Sequence, residues 1–172
     1  GTTNSPLVNV RDFGATGDGV TDDIAAIEDA ITAAAGRTVF LPKGKYLISR
    51  PITLAASAEQ TYSPGLQLLG EGMLLTEILS AVANDAAIKL TAAAQLHFTV
   101  DSEIANLRIS VVPGTVNGAG VSLTAAWFVR LRNVRIYGMG GNGIEVVLHP
   151  ELHPDTSDYY QCLYLDIEQS WI

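Results

Sequence analysis

The sequence predicts an all-β solenoid, closed at its N-terminal end by one α-helix, and three observations carry that expectation. Short apolar strand-like blocks recur at spacings of 23 to 33 residues through the second half of the chain, the signature of stacked units that cannot bury an apolar face singly. A single amphipathic helix is legible, over residues 22–35, immediately after a glycine-rich loop. The composition is that of a packed chain, 48% hydrophobic with 16% charged residues, which excludes disorder.

In the opening stretch, Gly14, Gly17 and Gly19 stand among Thr16, Asp18 and Thr21, so the backbone is free to visit positive φ and reads as a tight connector. Thr21 or Asp22 can accept the orphan N–H groups of the first helical turn, and Asp22, Asp23 and Glu28 lie toward the positive end of the helix dipole. Ile24, Ile27, Ile31 and Ala34 then form one apolar stripe, and Gly36 stops the helix. A helix of about 14 residues is marginal alone, so its stripe must cover the strands that follow. Residues 38–41 and 45–48 read as two strands around a Pro42-Lys43-Gly44 turn, residues 50–54 as extended, residues 55–65 as a polar loop, and residues 66–69 as strand again.

Two sets of repeats complete the chain. Residues 104–109 (IANLRI), 131–136 (LRNVRI) and 162–167 (CLYLDI) align at offsets of 27 and 31, and residues 87–90, 120–123 and 143–146 align at offsets of 33 and 23. About five coils stacked ~4.8 Å apart make a stub roughly 25 Å long. With Leu107, Ile109, Val134, Ile136, Leu165 and Ile167 inward, alternation sends Arg108, Arg135 and Asp166 outward in one column, and Ser110, Tyr137 and Glu168 in the next. Asn106 and Asn133 fall at one bend, where asparagine tolerates left-handed φ and can bond its stacked copy; Tyr164 breaks that ladder.

The run DFGATGDGVTDD, an Ala/Ile helix and then VFLPKGKY resembles the N-terminal segment of the pectate-lyase-like superfamily of right-handed parallel β-helices. That superfamily includes pectin- and rhamnogalacturonan-degrading enzymes, alginate epimerases and phage tailspikes. The resemblance implies a right-handed parallel β-helix, a polysaccharide as partner, and an extracellular, cell-surface or virion-associated setting. It also implies a structural role for Asp12, Asp18, Asp22 and Asp23, which cap the fold. The diagnostic segment spans residues 8–48 and the repeating coils residues 66–172, so the whole chain reads as one domain.

Composition excludes several partners. The 18 acidic residues against 10 Lys plus Arg give a net charge of −8 with no basic run in the sequence, so neither nucleic acid nor an anionic membrane is expected. No apolar run reaches the ~20 residues of a membrane span, and the single Cys162 cannot form an internal disulfide. No cofactor and no metal are expected.

Candidate chemistry is weighed against packing. Residues 138–143 (GMGGNG) match GxGxxG, but residues 144–148 are strand-like where a dinucleotide site needs a helix, so a turn is favoured. His149, Glu151 and His153 have ligand spacing with Asp155 or Asp158 as a third group, yet Pro150 and Pro154 break the helix and favour a solvated insertion. The epimerase signature Asp-Pro-His-Glu is absent; only His153-Pro154-Asp155 occurs, in opposite order. Cys162 and His97 lie in apolar strands and read as packed. Trp127-Phe128 and Tyr159-Tyr160 could stack on sugars, with inter-coil packing favoured. Asp166 and Glu168, at i and i+2 on one strand, would hold carboxyls ~6–8 Å apart, within the window for inverting glycoside hydrolysis; ordinary solvated acids satisfy the same spacing.

The site expectation is therefore Asp166 and Glu168 as a catalytic pair, with Arg108, Arg135 and Tyr137 binding substrate and Arg135 lying between Arg108 and Asp166. A hydrolase or lyase, a non-catalytic carbohydrate-binding β-helix, and a structural segment whose active coils lie beyond Ile172 are the three competing functions. Trp171-Ile172 follow a strand with no polar cap, which leads to the expectation of a truncated chain that associates in an oligomer or with a missing C-terminal portion.

Overall fold

A computed structural model of the chain describes residues 7–92, 97–147 and 165–172. Its strands are β1 Leu7–Asn9, β2 Asp18–Asp22, β3 Thr38–Leu41, β4 Gly44–Ile48, β5 Ile52–Ala56, β6 Tyr62–Pro64, β7 Gln67–Gly70, β8 Thr76–Ser80, β9 Ile88–Ala92, β10 Phe98–Val111, β11 Val121–Leu123, β12 Ala126–Ile136, β13 Ile144–Val146 and β14 Leu165–Glu168; the helix α1 spans Ile24–Ala34. Every strand pair is parallel, and partners are one coil apart in sequence. Parallel strands need crossover connections, and short strands that cross over to the coil above build the winding of a β-helix.

Three faces result. One runs β1-β3-β7 through the first half of β10 to β12 and β14; the second runs β2-β4-β8 to the second half of β10 and of β12; β5-β9-β11-β13 form the third. Strands β10 and β12 serve two faces because Asn106 and Asn133 bend them, with φ of 55° and 53°. Asn133 Nδ2 donates to Asn106 Oδ1 at 3.0 Å, so the expected asparagine ladder is present. Inside, side chains stack in register: Val39, Leu68, Ile104 and Leu131 on the first face, Tyr46, Ile78, Ile109 and Ile136 on the second, Ile52, Ile88, Val121 and Ile144 on the third. Nearly all of these are fully buried, each contributing about 1.5–3 kcal/mol.

Helix α1 lies against β1, β3, β4, β5 and the 3-10 turn Val10–Phe13, burying Ile24, Ala26, Ile27, Ala30 and Ala34. The acidic loop before it is tied by its own side chains. Asp23, almost fully buried, accepts from Thr16 N (2.7 Å), Thr16 Oγ (3.2 Å) and Gly17 N (3.0 Å). Asp22 accepts from Ile24 N and from Ser49 Oγ at 2.5 Å, and Asp18 from Val20 N, Thr21 N and Thr21 Oγ. These bonds hold the acidic loop against the strands.

The structure corrects three local readings. Residues 18–22, expected as part of the glycine-rich connector and the start of the helix, are strand, pairing Asp18 with Lys45 and Asp22 with Leu47, and a 3-10 turn over Val10–Phe13 precedes them. The polar loop over residues 55–65 contains β6, which adds to the start of β10. The third repeat is displaced: β14 pairs Asp166 with Arg130 and Glu168 with Arg132, an offset of 36 rather than 31. The reason is the bend at Asn133. It resets the inward alternation, so Val129/Leu131 and Val134/Ile136 present the same apolar pair and Leu165/Ile167 match either.

Candidate functional site

The second face carries the convergent chemistry. Between the buried rows of Tyr46, Ile78, Ile109 and Ile136, alternation points Lys45, Glu77, Arg108 and Arg135 outward in one column, and Trp171 extends it by bridging to Arg135. Trp171 is fixed there by its backbone: its N–H donates to the Val134 carbonyl at 2.9 Å and its carbonyl accepts from Ile136 N at 2.8 Å. The neighbouring outward column holds Leu47, Leu79, Ser110 and Tyr137.

Glu77 organises this face. Its side chain is 6% exposed, and an ionised carboxylate that deep requires partners. Arg108 donates to Oε2 at 2.6 Å, Ser110 Oγ to Oε1 at 2.5 Å, and Tyr137 Oη to Oε1 at 3.4 Å, with Lys45 Nζ 3.6 Å from Oε2. Burial alone would raise the Glu77 pKa; the Ser110 and Arg108 hydrogen bonds and the Arg108 and Lys45 charges outweigh it and hold the carboxyl below its ordinary range. Glu77 is therefore a charged anchor that fixes Arg108, Ser110 and Tyr137.

Above it, the Arg135 guanidinium lies 5.0 Å from the Tyr137 ring centroid, within cation–π range. Arg135, Tyr137 and Trp171 line a cleft of about 500 Å³ together with Met73, Ile136 and Ile172. Trp171 is 69% exposed. An aromatic face, a guanidinium and a phenol in one open cleft can stack on a sugar ring and hydrogen-bond its substituents.

The expected site divides between two faces. Arg108, Arg135 and Tyr137 come together as described, but Asp166 and Glu168 lie on the first face, where Glu103 accepts from Arg130 at 3.1 Å and from Arg132 at 2.5 Å. The expectation that Arg135 lies between Arg108 and Asp166 is thus corrected: it lies between Arg108 and Trp171. Glu77 and Lys45 were not singled out by the sequence reading, and Trp171 entered it as an uncapped end and not as a site residue. Only register could find them, because Lys45, Glu77 and Arg108 are about thirty residues apart in the chain.

The other candidates resolve as follows. Trp127 packs between coils, 4.8 Å from Phe98 and 5.3 Å from Tyr62, and the His97 ring bonds the Ser57 carbonyl through Nδ1 at 2.6 Å. The GxGxxG run leads into strand β13 and not a helix. Its Gly140 backs onto the coil below, where a Cβ would meet the Asn117 carbonyl at 2.5 Å. His149, Glu151, His153, Asp155, Asp158, Tyr159, Tyr160, Cys162 and Tyr164 lie outside the described residues. Among the described residues no His, Cys, Asp and Glu cluster suits a metal, and no helix is long and apolar enough to cross a membrane. A larger cavity, about 560 Å³, lies between α1 and the β5–β6 loop. Its charged groups are already engaged, Glu28 by Arg50 and Arg37 by the helix carbonyls of Ala33 and Ala34.

Comparison with known proteins places this geometry. Residues 7–153 match the family described as rhamnogalacturonase A/epimerase, pectate lyase-like. The chain belongs to that pectate-lyase-like family. Mannuronan C5-epimerase AlgE6 of Azotobacter vinelandii is 34% identical across an alignment covering 80% of this chain, which spans 17% of that protein's length. Among solved structures, ORF18 of Geobacillus virus E2 matches 80% of this chain and 27% of that chain with a TM-score of 0.67 at 26% identity. The A-module of the Azotobacter vinelandii epimerase AlgE4 matches 79% of this chain and 41% of that one, with a TM-score of 0.53 at 27% identity. The pectate-lyase-like family thus covers the helix, the three faces and most of the Glu77 column.

Proposed function

We propose that this chain contributes a glycan-binding β-helix to a polysaccharide-processing protein, with an extended sugar chain running along the column of Arg108, Arg135 and Trp171 and against Tyr137. The observation that carries this reading is the cleft in which exposed Trp171 stands beside an arginine stacked on Tyr137. Stacked coils repeat outward positions every ~4.8 Å, close to the spacing needed to meet each sugar of a chain with a polar or aromatic group. The epimerase and phage relatives support the polysaccharide class and a virion-associated or extracellular setting. In this reading α1 caps the N-terminal end of the right-handed coil, and association with another chain is a further proposal.

Binding is favoured over turnover on this chain by one feature: each carboxylate proposed as catalytic faces an arginine, Asp166 opposite Arg130 and Glu168 opposite Arg132. Were turnover present, Asp166 and Glu168 would be its proposed pair. A panel of plant, algal and bacterial polysaccharides tests both readings, by affinity electrophoresis for binding and by reducing ends and unsaturated-product absorbance for cleavage. Trp171→Ala and Tyr137→Ala are expected to weaken binding about tenfold or more, as loss of ring stacking does. Parental affinity in both variants would remove the cleft from consideration. Turnover abolished by Asp166→Asn and Glu168→Gln would establish the enzymatic reading.

A further inference from the structure

The glycan-binding reading gives no role to the glycine-rich turn over residues 138–143, and that turn holds an asparagine whose reactive atoms are open. Six asparagines lie among the described residues, and two of them precede glycine, Asn117 and Asn142. Glycine leaves its own backbone nitrogen unshielded by a side chain, so the nitrogen can reach the Cγ of the asparagine before it. Asn9, Asn84, Asn106 and Asn133 are followed instead by Val10, Asp85, Leu107 and Val134.

The two Asn-Gly pairs lie on successive coils at one corner, where the Gly141 N–H donates to the Gly118 carbonyl at 2.9 Å, and they are held differently. Asn117 is 3% exposed, its Nδ2 donates to Ser80 Oγ at 3.1 Å, and the Gly118 N–H donates to the Asp85 carbonyl at 3.0 Å. Its side-chain amide and the nitrogen that would attack it are both engaged. Asn142 is exposed and outside any strand; neither its side chain nor the Gly143 N–H has a hydrogen-bond partner among the described residues. The carbonyls of Asn142 and Gly143 do accept, from Gly120 N at 3.1 Å and Val121 N at 3.0 Å. The turn is thus fixed while its nucleophile and its electrophile stay free.

We infer that Asn142-Gly143 is a self-modification site, at which Asn142 converts to aspartate and isoaspartate in the folded chain while Asn117 is protected. Solvent base takes the Gly143 amide proton and the nitrogen bonds to Asn142 Cγ. The Cγ–Nδ2 bond then breaks, and ammonia leaves with a proton from water. Water opens the cyclic succinimide so formed: attack at Cγ gives aspartate, and attack at the backbone carbonyl gives isoaspartate, whose main chain runs through Cβ and Cγ. Water is the sole co-reactant. Isoaspartate lengthens the main chain by one atom, so the Asn142 and Gly143 carbonyls cannot both stay opposite Gly120 N and Val121 N. The site also abuts the cleft, because a Cβ on Gly143 would collide with Ile172 Cγ2, and Ile172 is a cleft wall beside Trp171. The chemistry is independent of what the cleft binds.

The experiment ages the full chain in mildly alkaline buffer, folded and in urea. Peptide mapping by mass spectrometry follows each asparagine, and isoaspartyl methyltransferase labelling marks the isoaspartyl form. In the folded chain Asn142 is expected to convert at least about tenfold faster than Asn117, whose reaction must wait for a local opening; in urea the two should convert at similar rates. Asn142→Ser, which has no amide to lose, should remove the folded-state label and keep the urea-state label at Asn117. Hydrogen exchange on the isoaspartyl fraction should show lost protection at the Gly120 and Val121 amides, with that of Asp23, bonded to the Leu47 carbonyl at the N-terminal end, unchanged. No conversion at Asn142 in the folded chain, or equal conversion of Asn117 there, overturns the site. An Asn117 that stays as slow in urea overturns the protective role of the fold. Full protection of Gly120 and Val121 in the isoaspartyl fraction overturns the structural consequence.

Discussion

Replacing Glu77 by glutamine should loosen the whole second face. The amide fits the same volume and still accepts hydrogen bonds, so the loss is one of charge. Arg108 at 2.6 Å and Ser110 at 2.5 Å then bond a neutral oxygen, and each bond to a charged group is worth about 1 kcal/mol more than its neutral equivalent. Arg108 also loses its only counter-charge among the described residues while its Nε is buried with no partner among them, next to Arg135 in register. Removing one member of a fully buried pair costs about 3–5 kcal/mol, but the Arg108 side chain is 27% exposed and that of Lys45 49%, so water recovers part of it. The expected destabilisation is about 2–4 kcal/mol, which lowers Tm by roughly 4–16 °C for a chain of this size. Urea denaturation at pH 7 measures it. The pH dependence fixes its origin, because Glu77 titrates below its ordinary value of 4.5 in the folded chain. Its ionic stabilisation is complete above that value and is lost as pH falls through the folded pKa, so parent and variant should converge in acid. A Tm within about 1–2 °C of the parent at pH 7, or a gap that persists unchanged in acid strong enough to protonate the Glu77 carboxyl, would refute the charged-anchor role.

Three further outcomes follow from the packing. Ile27→Asp places a carboxylate in the fully buried interface between α1 and the strands and should cost about 4 kcal/mol or more; unchanged denaturation would mean that α1 does not cover the core. Asp23→Leu leaves the Thr16 and Gly17 amides without their acceptor and should cost about 2–4 kcal/mol with the urea m-value unchanged. Asp18, fixed by backbone bonds from Thr21 and Val20, is held at a pKa of about 2 against an ordinary 3.8. Its carboxyl carbon should titrate near there by NMR, and its contribution to stability, complete above 3.8, should vanish only as pH falls through about 2.

How much of this was legible follows from which signals are local. The block at residues 104–109 and its copy at 131–136 share six-residue patterns that end on Ile109 and Ile136, and the structure pairs them residue for residue. The rows Ile88, Val121 and Ile144 align as the repeats required. Alternation placed Arg108 and Arg135 in one outward column, and the bend asparagines bond as expected. The third repeat failed because parity cannot see through a left-handed residue: Gln169, with φ of 48°, occupies the bend position that follows Asn133. Leu165-Asp166-Ile167 therefore sits before the bend and not after it. This one slip moved Asp166 and Glu168 to another face and concealed Trp171, which takes the outward place above Arg135. Glu77 was hidden differently. Residues 76–80 carry no copy of the repeated pattern, so only the pairing of β8 with β10 shows that its carboxylate meets Arg108.

Trp171 offers the most direct test of the glycan-binding claim, because the chain has only two tryptophans, Trp127 and Trp171. In a Trp127→Phe variant all tryptophan emission reports on the cleft, and the substitution keeps an aromatic ring against Tyr62 and Phe98. Titration with uronate oligomers should produce a saturable change in that emission, with protection from acrylamide as a sugar ring covers the exposed indole. An emission and quenching rate that stay constant, while calorimetry on the same variant shows the oligomer binding, would place the glycan on another face and contradict the account.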